Sequence, residues 1–75
     1  MDNQQKLFQY IEALESIRHM FRPHKYKFIL AEALVHYYSH KTDSLSEIRD
    51  RVNTILKRKN IDEISLGFVR NIVQR

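Results

Sequence analysis

The sequence predicts an all-α protein, a compact bundle of four helices, and three observations support that prediction. Its 75 residues include one Gly and one Pro, so the residues that build β-turns and hairpins are almost absent. Apolar residues recur at steps of three and four along four successive stretches, which is the spacing of one face of an α-helix. The length suits one core. We therefore expect a single helical domain over 1–75, with helices at about 3–21, 25–40, 44–59 and 62–75.

The first helix is predicted from a cap and a stripe. Asp2 is the expected N-cap, because its carboxylate can accept an amide N–H, and Gln5 stands three residues later as in a capping box. The apolar stripe consists of Leu7, Tyr10, Ile11, Leu14, Ile17 and Phe21. Pro23 either ends this helix or opens the next, since proline lacks the amide donor that a helix interior needs.

The second helix is predicted to be the centre of the bundle. Its apolar residues cover more than half of its circumference, and a helix of that kind is buried on most sides. They are Tyr26, Phe28, Ile29, Leu30, Ala33, Leu34, Val35, Tyr37 and Tyr38. The other three helices should therefore pack around it.

The third helix carries the strongest local signals. Ser44 and Glu47 have the spacing of a capping box, in which each side chain satisfies an amide of the other residue. Asn60 is expected to end the helix in the left-handed conformation. The inward stripe consists of Leu45, Ile48, Val52, Ile55 and Leu56.

The fourth helix is predicted to start at Asp62. Asp62 is the expected cap, and Ile61 and Leu66 have the spacing of a hydrophobic staple across that start. The apolar side consists of Ile64, Phe68, Val69, Ile72 and Val73.

Composition and motifs exclude several classes of function. The absence of Cys excludes disulfides, thiolate nucleophiles and zinc fingers of the Cys type. No apolar run exceeds the four residues of 28–31, against roughly 20 for a membrane span, and the polar start 1–5 is unlike a signal peptide. We expect a cytoplasmic protein without membrane association. There is no Gly-rich phosphate loop, HExxH motif or nucleophile elbow, so we expect no enzyme activity and no cofactor.

A metal site is an alternative for one polar strip of the second helix. Glu32, His36 and His40 are spaced by four, which places a carboxylate and two imidazoles on one face. The same spacing arises when a central helix keeps one narrow solvated strip, and this is the interpretation we prefer. The prediction is therefore no metal, with these three residues as the candidate ligands if one binds.

The last helix suggests contact with duplex DNA. Its predicted outward face carries Gly67, Arg70, Asn71 and Gln74. Arginine pairs with guanine, asparagine and glutamine pair with adenine, and a glycine permits close approach of the backbone. The residues expected to contact phosphates are Arg51, Thr54, Lys57, Arg58 and Arg75. A net charge of +4, with its excess in the second half of the chain, is compatible with a polyanionic partner.

The order of the last three predicted helices resembles the tri-helical core of winged-helix regulators. The likeness covers about 25–75 and rests on the polar joint 41–43, the Ser-Leu-Ser-Glu-Ile entry at 44–48 and the final helix 64–75. It implies a helix-turn-helix DNA-binding protein, a transcriptional regulator or accessory module of bacterial or phage type; no wing follows the last helix. The segment 22–34 also resembles helical modules that precede nuclease domains in some bacterial restriction systems, which implies a nucleic-acid-associated accessory role.

A protein partner is the alternative hypothesis. The chain has eight aromatic residues, and buried tyrosines would need hydrogen-bond partners, so some should reach the surface. The residues predicted for such an interface are Leu7, Tyr10, Ile11, Leu14, Tyr37 and Tyr38. They would serve a homodimer formed through the first helix, or a small adaptor or inhibitor of the phage or mobile-element type.

Overall fold

The computed structural model describes residues 3–74, and these are all-helical with no β-strand. In chain order, α1 spans Asn3–Ser16, a single 3-10 turn spans Arg18–Met20, α2 spans Pro23–Ser39, α3 spans Leu45–Arg58 and α4 spans Leu66–Val73. The predicted all-α class is confirmed.

Helix α2 lies at the centre, as its sequence predicted. It packs against α1, α3 and α4, and α3 and α4 also pack against each other. Its buried residues are Tyr26, Leu30, Ala31, Leu34 and Val35. They meet Ile48, Val52 and Leu56 of α3 and Val69 and Ile72 of α4 in one core.

The first helix is shorter than predicted. It ends at Ser16, whose hydroxyl donates to the carbonyl of Ala13 at 2.7 Å and so competes for a carbonyl of the last helical turn. The chain then passes through the 3-10 turn to Arg22, which is extended as the residue before a proline prefers. Pro23 occupies the first turn of α2, so it opens the second helix two residues earlier than predicted. The predicted cap Asp2 lies outside the described residues.

Both ends of α3 follow the sequence closely. The Ser44 hydroxyl accepts from the Glu47 amide at 3.2 Å, which confirms the predicted cap. The prediction of the reciprocal bond, from the Ser44 amide to the Glu47 carboxylate, is wrong. The Ser44 amide donates to Thr42 Oγ1 instead, and that hydroxyl donates to Glu47 Oε2. At the other end Asn60 has φ 59°, which confirms its predicted left-handed conformation.

Helix α4 begins at Leu66, four residues later than predicted. Its N-cap is Ser65, whose hydroxyl accepts from the Phe68 amide at 3.1 Å, so Asp62 is not the cap and the staple across it does not form. The physical reason lies on α3. The buried Asn53 side chain donates to the Ile64 carbonyl at 3.1 Å and accepts from the Ile64 amide at 2.7 Å, which holds this peptide outside the helix.

Candidate nucleic-acid interface

Helix α4 presents a polar face to solvent. Val69 and Ile72 are buried in the core, and the four predicted base-reading residues on the opposite side are exposed: Gly67, Arg70, Asn71 and Gln74. Within residues 3–74, no hydrogen bond or ion pair engages the last three of these side chains. Their donors and acceptors are therefore available to a ligand.

Gly67 is not required by packing. A Cβ placed there would meet only Ser65 Oγ, at 3.8 Å, which is an ordinary contact. The missing side chain therefore leaves the outer surface of α4 flat without serving the fold of the chain itself.

Three of the residues predicted to contact phosphates lie together on α3, as their spacing suggested. Arg51, Thr54 and Arg58 are exposed and line one groove of about 260 Å³ with Phe8 and Tyr38. Two of them already have partners in the chain. Arg51 pairs with Glu47 at 2.9 Å, and the Thr54 hydroxyl donates to the Asp50 carbonyl at 2.8 Å.

This α3 groove faces away from α4. Asn53 marks the side of α3 that holds the entry to α4. At about 100° per residue, Arg51 lies about 160° around the helix from Asn53, and Arg58 about 140°. The groove is lined from α1, α2 and α3, with no residue of α4. The structure therefore does not bring these α3 residues together with the predicted base-reading face.

Lys57 differs from the other α3 cations. It is exposed and pairs with Glu63 of the α3–α4 connection at 3.4 Å, which places it beside the start of α4. The last predicted phosphate contact, Arg75, lies outside the described residues.

One further cation, Lys27 of α2, flanks α4 beside the imidazole of His24, and sequence reasoning missed it. A groove of about 410 Å³ between α2 and α4 is lined by His24 and Lys27 of α2 together with Ser65 and Phe68 of α4. Phe28 and Phe68 join the two helices through an edge-to-face contact, with ring centroids 5.7 Å apart. The sequence carries a signal for this basic surface: residues 18–27 contain four Lys or Arg, two His and no acidic residue.

The helix ends at this α2–α4 groove add to its positive potential. It lies between the first two turns of α2 and the first turn of α4, and helix N-termini carry partial positive charge and unsatisfied amides. The acidic residue in its lining is Glu63, whose charge is offset by Lys57. Asp62 lines an adjoining pocket with the same His24 and Lys27, so an anion would meet favourable charge on the α2 side of the groove and repulsion from Asp62 beside the α3–α4 connection.

The predicted protein-interface residues divide into two groups. Leu7, Ile11 and Leu14 are buried in the core of the chain, so they do not form an exposed surface. Tyr10, by contrast, is 46% exposed.

The other two predicted interface residues, Tyr37 and Tyr38, are half-buried and contact each other edge to face at 5.0 Å. Burial, with a smaller contribution from Tyr37, raises the pKa of Tyr38 above its ordinary value.

The remaining candidate was the polar strip of α2. Glu32 is half-buried, and His36 and His40 are exposed. Among the described residues, no group of three or more His, Asp or Glu could hold a metal ion, so the geometry does not support the metal alternative.

No helix within residues 3–74 is both long and apolar enough to cross a membrane. No protein-family model matches this chain, and no curated protein or solved structure matches it either.

Proposed function

We propose that the chain is a non-enzymatic module that binds duplex DNA through the outward face of α4. The observation that carries the proposal is the α2–α4 groove, because it places Lys27 and His24 beside a helix whose outer face is polar and unengaged. Helices α2, α3 and α4 pack on one another, as the three helices of a helix-turn-helix unit do, and the seven residues 59–65 join α3 to α4. A transcriptional regulator or an accessory DNA-binding module would both use such a unit.

The proposed contacts separate base reading from phosphate binding. With α4 in the major groove, Arg70 would donate two hydrogen bonds to a guanine, and Asn71 and Gln74 would pair with adenines. Lys27 would neutralise a flanking phosphate. The exposed carboxylate of Asp62, before the helix, would be repelled by phosphate, so the second half of α4 carries the base contacts.

Salt-dependent binding tests the phosphate part of this proposal. Fluorescence anisotropy with a random-sequence duplex, measured at several salt concentrations, should give an affinity that falls steeply with salt. Lys27→Ala should weaken binding to all sequences and reduce the salt slope by about one. Arg58→Ala is the matched control, since it removes an exposed cation from the α3 groove, and should leave the slope unchanged. Equal effects of the two variants would contradict the proposed face.

Base reading needs a second measurement. After selection of a preferred duplex from a random pool, Asn71→Ala should weaken binding to that duplex by about 1–3 kcal/mol and relax the preference at one position.

Gly67→Ala should stabilise the fold by roughly 0.5–1 kcal/mol, because alanine is the better helix former, yet weaken binding to DNA. Absence of any salt-sensitive binding by the unmodified protein would refute DNA binding altogether.

A protein-binding adaptor or inhibitor is the second candidate function. Residues 8–20 expose four large apolar side chains, Phe8, Tyr10, Ile17 and Met20, more than a folded helix needs at its surface. A homodimer would cover some of them, and light scattering across a concentration series would detect it. A monomeric mass at all concentrations would exclude the homodimer and leave a different partner to be found.

A further inference from the structure

A second concave surface lies between α1 and the solvated strip of α2. One groove of about 470 Å³ is bounded by Lys6 and Tyr10 of α1 and by His36 and Lys41 on the α2 side. A neighbouring groove of about 420 Å³ continues toward Phe28. Both include Tyr10, Ala33 and His36, so they form one continuous depression, the α1–α2 groove.

Apolar and aromatic residues line the middle of the α1–α2 groove together with Glu32 and His36, and its ends are basic. Ala33 and Ile29 are half-buried along its length, while Tyr10 and Phe28 are 46% and 40% exposed. Apolar and aromatic surface of this kind is typical of the central part of a protein interface. Phe28 lines this groove and also contacts Phe68 edge to face.

Charge is distributed unevenly along this surface. Lys6 and Lys41 lie at one end and Lys25 at the other. The larger section contains no acidic residue in its lining, and the smaller contains only Glu32, near the middle of the groove. A ligand that matches this surface is apolar in the middle and negatively charged toward both ends.

The length of the groove suits a helix. The α2 residues that line the groove run from Lys25 to Tyr37, which is 12 residue steps or about 18 Å at 1.5 Å per residue, and Lys41 lies beyond the end of the helix. A helix of three to four turns has this length and presents apolar residues at steps of three, four and seven along one side.

We propose that the α1–α2 groove binds an amphipathic helix of a partner protein that has acidic residues flanking its apolar stripe. The apolar stripe would cover Tyr10, Ala33 and Phe28, and the carboxylates would meet the lysines at the two ends. A nucleic-acid strand fits less well, because its phosphates are evenly spaced and would cross the apolar middle beside Glu32. The proposal does not rest on DNA binding by α4, although Phe28 lines both this groove and the α2–α4 groove.

A pair of synthetic peptides tests the proposal on the full chain. The first, of about 18 residues, has leucines along one side and glutamates on both flanks, and the second replaces every glutamate with lysine. We expect the acidic peptide to bind at least about tenfold more tightly than the basic one, with amide chemical-shift changes at Tyr10, Ala33 and His36. A single-stranded oligonucleotide is the third probe, and stronger binding of this probe at the same residues would overturn the proposal.

Two variants locate the binding. Ala33→Glu places a bulky anion in the middle of the groove and should weaken acidic-peptide binding at least about tenfold. Ser46→Glu adds the same side chain to the exposed first turn of α3 and should leave binding within about twofold. Circular dichroism confirms that both variants fold, and if Ala33→Glu does not, Lys6→Glu with Lys41→Glu replaces it. No saturation below about 1 mM, or equal effects of the groove and control variants, would refute the proposal.

Discussion

The segment 3–20 and the three-helix unit 23–73 differ in how completely their apolar side chains are buried. Leu7, Ile11 and Leu14 of α1 retain 5–8% of their exposure, whereas Leu34 at the centre of the unit has none. Of the six large hydrophobic residues that are exposed in the described part of the chain, four belong to the first segment. The centre of the three-helix unit is thus fully enclosed, whereas α1 adds one buried stripe to the same core and leaves apolar surface exposed.

The two regions are also held by different polar contacts. Asn53 fixes the α3–α4 connection from a buried position through two hydrogen bonds to Ile64. The first segment is joined to the rest by an exposed ion pair between Glu15 and Lys59 and by the Arg18 guanidinium, 4.8 Å from the centre of the Tyr26 ring. Exposed ion pairs contribute little to stability, so we expect α1 to open locally before the unit unfolds.

The largest difference between the regions should appear when a leucine is truncated in each. We expect Leu34→Ala to lower the free energy of unfolding by about 3–5 kcal/mol, because a fully enclosed cavity cannot collapse. Leu14→Ala, at the edge of the core, should cost about 2 kcal/mol. Urea denaturation followed by circular dichroism measures both, and equal losses would mean that α1 belongs to the same closed core.

Removal of the Asn53 side chain should have the next largest effect. Asn53→Ala leaves the amide and carbonyl of Ile64 without partners in a buried site, at a cost of about 2–4 kcal/mol. Asn71→Ala, on the exposed face of α4, is the control and should change stability by less than about 0.5 kcal/mol. A loss of similar size in the two variants would show that the α3–α4 connection does not depend on Asn53.

Local and tertiary signals explain which features the sequence predicted. The cap at Ser44 and the left-handed Asn60 depend on neighbours within five residues, and both were predicted. The start of α4 depends on Asn53, eleven residues before Ile64, and a single asparagine on the third helix gives no local sign of that contact. The prediction of Asp62 as the cap was therefore wrong.

The same difference between local and tertiary signals applies to the candidate interface. Periodicity within α4 placed Arg70 and its neighbours outward, because a helical period is a local property. Which cations lie beside α4 depends on how three helices pack. Arg51 and Arg58 were predicted from their spacing on the third helix. Lys27 lies beside the start of α4 only because α2 packs on α4, which the sequence does not show.

A smaller effect distinguishes the predicted cap of α4, Asp62, from the observed cap, Ser65. Ser65→Ala removes the hydroxyl that accepts from the Phe68 amide and should lower stability by about 1 kcal/mol. Asp62→Ala should change it by less than about 0.5 kcal/mol, because that side chain is exposed and caps no helix. Thermal unfolding of the two variants side by side measures the difference, and a larger loss for Asp62→Ala would restore the earlier start of the helix.

The last prediction concerns Tyr26, where the two regions meet, and its effect is similar in size to that of Ser65→Ala but opposite in sign. Its hydroxyl is buried without a hydrogen-bond partner in the described residues, so Tyr26→Phe should raise the free energy of unfolding at pH 7 by about 1 kcal/mol. Burial, and secondarily the Glu15 carboxylate, raise the pKa of Tyr26, while Lys59 and Arg18 oppose the shift. The neutral phenol is therefore favoured in the folded chain, and the stability linked to it is complete below the unfolded pKa of about 10 and lost as pH rises through the folded value. Urea titrations at neutral and alkaline pH should show a steeper alkaline loss for the unmodified protein than for Tyr26→Phe. A destabilised Tyr26→Phe at pH 7 would mean that the hydroxyl makes a bond that holds α1 to the unit, and the contrast between the two regions would then be smaller than their packing implies.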